Sequence, residues 1–145
     1  MRIPQFILGA TLGILIACSG SNESDLSAPL NGCTIQSPTL QTRAGLRIEF
    51  ISPESGIPLN ELFSIEVIIT NIQSPEDFSI LVDANMPAHG HGMLTRVEIE
   101  PLETIGHFRV NQLNLHMPGE WELTALLMDG ETAEQVRSLV SCADG

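Results

Sequence analysis

The sequence predicts an all-β protein built as one β-sandwich of about seven strands, and three observations carry that expectation. Apolar residues alternate with polar ones at a period of two over most of the chain beyond residue 43, as half-buried strands require. Clusters of Gly, Pro, Asn and Asp interrupt that pattern at short intervals, each a recognised turn composition. About a hundred residues remain once the N-terminal part is set aside, enough for one small core and not for two.

In chain order, residues 1–17 read as an export signal. Arg2 precedes an apolar run from Phe6 to Ala17, which matches the basic start, apolar stretch and small-residue cleavage site of a secretory signal. The run is too short to span a bilayer comfortably. Leu15-Ile16-Ala17-Cys18 resembles a bacterial lipobox, in which Cys18 becomes the lipidated first residue; the alternative is an ordinary signal cut elsewhere, leaving Cys18 as a free thiol. Such a lipoprotein is held in the cell envelope by its lipid. Ser19, standing where Asp would retain it at the inner membrane, favours the outer membrane, facing the periplasm. Residues 18–42, rich in Ser, Asn, Pro and Thr with no sustained apolar period, read as the lipidated N-terminus and a flexible tether. The folded domain is then expected over residues 43–145.

Within that domain the expected strands are residues 46–50, 63–69, 78–86, 94–99, 106–115, 121–127 and 134–142. Residues 132–139 also carry a competing helical reading, because Glu, Ala, Gln and Arg favour helix. On the strand reading Phe50, Val67, Ile69, Val82, Phe108, Val110, Trp121 and Leu123 face the core. Trp121 is expected as packing, since indole contributes a large buried area. His107, beside Phe108, is expected to face solvent.

Setting Cys18 aside leaves Cys33 and Cys142, and an even pair in an oxidising compartment reads as a disulfide. Two free thiols, or one cysteine serving as a metal ligand, are the alternatives. Charge removes one class of partner. The chain holds 18 acidic and 6 basic residues, a net charge of -12, and has no lysine. Neutralising phosphates needs clustered basic side chains, and here Arg43, Arg47, Arg96, Arg109 and Arg137 stand singly, so nucleic acid and anionic lipid surfaces are not expected partners. The carboxylates, Glu98, Glu100, Glu103, Glu120 and Glu122 among them, read as a solvated surface.

The stretch that points to chemistry is Met86-Pro87-Ala88-His89-Gly90-His91-Gly92-Met93. It sets two imidazoles and two thioethers among glycines and a proline, a pattern suited to a soft metal ion. Thioethers favour Cu(I), and imidazole serves Cu(II), Zn and Ni as well. His89 and His91 are two residues apart, so in an extended segment their rings leave one face about 6–7 Å apart. Downstream, His116-Met117-Pro118-Gly119 repeats the pairing of soft ligands with turn residues. The candidate ligands are therefore His89, His91, Met86 and Met93, joined by His116 and Met117 if the fold brings the two turns to the same end. Asp83 is read as an exposed strand residue or as an acceptor orienting one of these imidazoles.

Three segments together, Asp83 to Met93, Gly106-His107-Phe108, and Leu115-His116-Met117-Pro118-Gly119-Glu120-Trp121-Glu122-Leu123, resemble the YtkA-like domain of exported and lipid-anchored bacterial proteins. The resemblance covers about residues 43–129. It implies an immunoglobulin-like sandwich and an association with copper handling and cytochrome-oxidase assembly.

Enzymatic motifs are absent from the sequence: there is no Gly-x-Ser-x-Gly elbow, no His-Glu-x-x-His and no phosphate-binding glycine loop. Catalysis is not expected. The expected function is a membrane-tethered copper-binding protein of the cell envelope, for transfer or sequestration of the ion. The alternative is a metal-free module whose turns contact an exported or membrane-embedded protein partner.

Overall fold

The structure is a computed structural model and describes residues 32–143. The signal read at residues 1–17, the lipidation of Cys18 and most of the tether lie outside the described residues. Ten strands are present among those described: β1 (Gly32–Ile35), β2 (Thr39–Gln41), β3 (Arg47–Ile51), β4 (Phe63–Thr70), β5 (Phe78–Met86), β6 (His91–Gly92), β7 (Glu98–Pro101), β8 (His107–Leu113), β9 (Gly119–Asp129) and β10 (Thr132–Ala143). They form two five-stranded sheets, in the orders β1-β10-β9-β5-β6 and β2-β3-β4-β8-β7. Every pairing is antiparallel. With β3-β4-β8-β7 in one sheet and β10-β9-β5 in the other, the strand order is that of an immunoglobulin-type sandwich.

The all-β sandwich is as the sequence predicts, but the strand count is ten and not seven. The three additional strands, β1, β2 and β6, span four, three and two residues, too short to display a period. Two of them also move the domain boundary. Residues 32–41, assigned from sequence to the tether, belong to the fold: Cys33 and Ile35 are buried, and β1 pairs with β10 from Gly32↔Ala143 to Ile35↔Val140. The expected strand at 94–99 lies further along, at Glu98–Pro101. Residues 94–97 form a loop instead, held where the Thr95 hydroxyl donates to the Gln112 carbonyl at 2.6 Å.

The helical reading of residues 132–139 gives way to strand β10. Val136, Ser138, Val140 and Cys142 are buried at a period of two, and the strand is flanked on both sides, by β1 and by β9. Ladder pairing with two neighbours outweighs the weak helix propensity of Glu, Ala and Gln. The β9–β10 hairpin closes through Gly130 and Glu131, with Asp129 paired to Thr132. Gly130 has φ +60°, and no side chain beyond hydrogen is needed there.

Between the sheets lies one core, with Trp121, Phe50, Ile48, Ile65, Val67 and Val110 among its fully buried side chains. Of the core residues expected from sequence, Phe108 alone is half-buried; it packs at the rim against Phe78, ring centroids 6.0 Å apart. His107 next to it is also half-buried, where solvent exposure is expected from sequence.

Cys33 and Cys142, directly paired across β1 and β10, form a disulfide. It joins neighbouring strands within one sheet. The free-thiol and ligand alternatives for these two cysteines are thereby removed.

The registers give the sandwich two distinct ends. At one end lie Gly32 and Ala143, the C-terminus of β5 at Met86 and the start of β9 at Gly119. The β9–β10 hairpin lies at the other, with the Asn71 to Asp77 loop beside it, pinned where the buried Asp129 carboxylate accepts from the Gln73 and Ser74 amides at 2.8 and 2.6 Å. The candidate ligands belong to the first end.

Candidate functional site

The site begins with the turn that joins β5 to β6. Pro87 to Gly90 cannot continue the ladder, and the chain reverses where His89 and Gly90 both donate their amides to the Met86 carbonyl at 3.0 Å. Gly90 takes φ +68°, a conformation that glycine adopts without a Cβ penalty. The chain then pairs back, His91 opposite Met86 and Gly92 opposite Asn85. Directly opposed residues share a face of a sheet, so His91 lies on the inward side with the buried Met86.

There His91 meets Trp121, ring centroids 5.8 Å apart and edge-on. The segment from Asn114 to Pro118 crosses from β8 in one sheet to β9 in the other and brings His116 to the same indole, at 5.2 Å and again edge-on. His91 and His116 are 5.3 Å apart, and the exposed His89 stands 5.7 Å from His91 on the outer side. Two of the four histidines thus meet over one tryptophan, with a third beside them on the outer side. The fourth, His107, pairs with Ile68 near the opposite end and takes no part.

Two contacts hold the second segment against the first. Trp121 Nε1 donates to the Met117 carbonyl at 2.9 Å, which fixes the loop over the indole. The Asn114 amide donates to Met93 Sδ at 3.5 Å, which ties the two turns to each other. Met93 and Met117 are both partly buried against the core. Beneath them Met86 closes on the backbone of Gly119, where φ is +118° and a Cβ would come within 2.7 Å of Met86 Cε.

The hydrogen bonding of the imidazoles bears on what they can bind. His91 Nδ1 lies 3.3 Å from the Gly92 carbonyl. A carbonyl only accepts, so this contact calls for a proton on Nδ1, and in the neutral ring that leaves the lone pair on Nε2. His116 Nδ1 is buried with no hydrogen-bond partner, as is Asn114 Oδ1 close by in sequence. A buried polar atom left unpaired costs about 1–3 kcal/mol, a penalty that a bound ligand would remove.

Every ligand candidate read from sequence within residues 32–143 therefore falls at one end of the sandwich. His89 and His91 come together through a turn and not, as expected, along an extended face. Among the described residues no three His, Cys, Asp or Glu side chains stand close enough to hold a metal ion as their rotamers lie. What the structure presents is a half-buried His91–His116 pair with His89 outside it. Asp83 is exposed and accepts from the Ala84 amide at 2.8 Å, which is the exposed-strand reading and not that of an imidazole acceptor. Two contributors have no clear ligand signal in sequence. Trp121 walls the pair, and Asn114 links the turns; the one hint is that His116 precedes Trp121 by five residues across a Pro-Gly turn.

Fold and site together define an all-β sandwich that carries a histidine cluster at the end where Gly32 pairs with Ala143. Comparison of the chain with protein-family models, with curated proteins and with solved structures finds no match.

Proposed function

We propose that this chain is a lipid-anchored protein of the cell envelope, of the YtkA-like kind, that binds a copper ion at the His91–His116 pair for transfer or sequestration. His89 would complete the site by turning inward, with the thioethers of Met86, Met93 and Met117 as soft donors nearby. The observation that carries the reading is the buried, unpartnered Nδ1 of His116 beside a His91 ring whose Nε2 is free to coordinate. Two imidazoles bound to one ion at about 2 Å hold their centroids about 5–6 Å apart. The observed 5.3 Å agrees with that spacing. Imidazole and thioether together suit copper better than the hard cations, which prefer oxygen.

A metal-free interaction module is the second reading. It is favoured by Leu62 and Leu94, apolar side chains 58% and 83% exposed near the same end. An anaerobic Cu(I) titration against a competing chelator, beside Cu(II) and Zn(II), separates the two. One Cu(I) per chain is expected, lost in the His91→Ala/His116→Ala variant and kept in His107→Ala. Failure to compete with the chelator at all would leave the interaction module. The chain has a single tryptophan, so quenching of Trp121 emission during the titration reports an ion bound at this cluster and not elsewhere.

A further inference from the structure

The same end of the sandwich that carries the histidine cluster also carries Gly32. Gly32 pairs with Ala143, and the next rungs bring Cys142 opposite both Cys33 and Gly119, the residue that begins the strand of Trp121. The chain therefore enters the fold beside the site. From Cys18 to Gly32 is 32 − 18 = 14 residues, a stretch that spans about 50 Å at most even when fully extended. The sandwich is itself long: β10 runs for 12 residues, or about 40 Å from end to end.

We infer that the histidine end is the membrane-facing end of this protein, and that the partner fitting the site is a protein embedded in the anchoring bilayer. The inference rests on the lipid-anchor reading of Cys18. With the anchor at Cys18 and the chain entering the fold at Gly32, the histidine end is held within about 50 Å of the bilayer, while the opposite end, with its Gly130–Glu131 hairpin, can stand farther away by the length of the strands. The surface around the site fits a protein surface better than a lipid one. Leu94 and Leu62 are 83% and 58% exposed there, flanking Gln112, while the adjoining loops and strand starts carry Glu54, Glu61, Glu98 and Glu120 against Arg96. Carboxylates in that excess repel anionic headgroups and complement a basic rim on an embedded partner.

The test uses the full chain, purified with its lipid and inserted into phosphatidylcholine nanodiscs that carry a gadolinium-chelating lipid. Paramagnetic broadening of backbone amide signals is then compared between the two ends. Broadening at Leu62, His91 and Leu94 several-fold greater than at Ala44, Thr104 and Glu131 is the expected result. Equal broadening, or stronger broadening at Glu131, overturns the inference while leaving the anchor reading in place. Mass spectrometry of the same sample decides that reading separately: an unmodified Cys18 removes the anchor and the inference with it. In cells, crosslinks from a photoreactive residue at position 94 that reach only soluble proteins would overturn the choice of an embedded partner, even with the orientation upheld.

Discussion

Gly119 shows how a single residue shapes the site from below. Its φ of +118° is disfavoured for any side chain, and an added Cβ would meet Met86 Cε at 2.7 Å. Met86 is 2% exposed, so its Cε, the flexible end of the side chain, would have to shift within packed surroundings. Gly119→Ala is therefore expected to destabilise the fold by about 1–3 kcal/mol, through backbone strain and overpacking together. Urea denaturation followed by Trp121 emission measures this, as a lower midpoint at unchanged slope. Gly90→Ala makes the informative comparison. It shares a positive φ of +68°, but nothing lies within 4 Å of its added Cβ, so only the strain part of the cost is expected. The ligand types at this end were readable from the sequence, residue by residue. The hydrogen-bond state of His91 and the orphaned Nδ1 of His116 were not, because both depend on neighbours that the fold supplies.

At the scale of elements, β6 stands out as two residues on a sheet edge. Its paired residues are Gly92 with Asn85 and His91 with Met86, and Met93 adds one bond from its amide to the Ala84 carbonyl at 3.2 Å. So few ladder bonds, open to water on one side, make this a region that opens locally with little free energy. It also carries His89, His91 and Met93. An ion bridging His91 to His116 would tie this edge to the segment that follows β8. The amides of His91 to Met93 are accordingly expected to exchange with solvent rapidly in the metal-free protein and at least ten-fold more slowly with copper bound, as read by hydrogen exchange. Amides of β9, which has a neighbour on each side, are expected to change little. The long strands were legible because β4, β5, β8, β9 and β10 run long enough for a period of two to appear. β1, β2 and β6 were not, since a segment of two to four residues contains at most two repeats of that period.

For the whole molecule, the disulfide is the largest single constraint. It joins residues 109 apart and so closes almost all of the described chain into one loop. The chain-entropy model assigns about 4–5 kcal/mol to a loop of this size. Reduction, or Cys33→Ser with Cys142→Ser, is expected to lower unfolding stability by about 2–5 kcal/mol and to loosen β1 first. A comparison of urea midpoints with and without reductant, with hydrogen exchange of Thr34 and Ile35, checks both parts. The bond also fixes the chain's point of entry to the end that holds the histidines.

The sequence by itself determined the class of the fold, most of the core and where the His and Met ligand candidates stand along the chain, and it made a Cys33–Cys142 disulfide the expected one of three readings. Each of these depends on composition or on local periodicity, and both are written along the chain. Only the tertiary structure decided that the domain begins by Gly32, that residues 132–139 are strand and that the two His/Met turns share an end. It also decided that His91 and His116 flank Trp121 while His107 lies apart. Those outcomes depend on which strands become neighbours and in what register, and such contacts join residues far apart in sequence, where no local pattern records them.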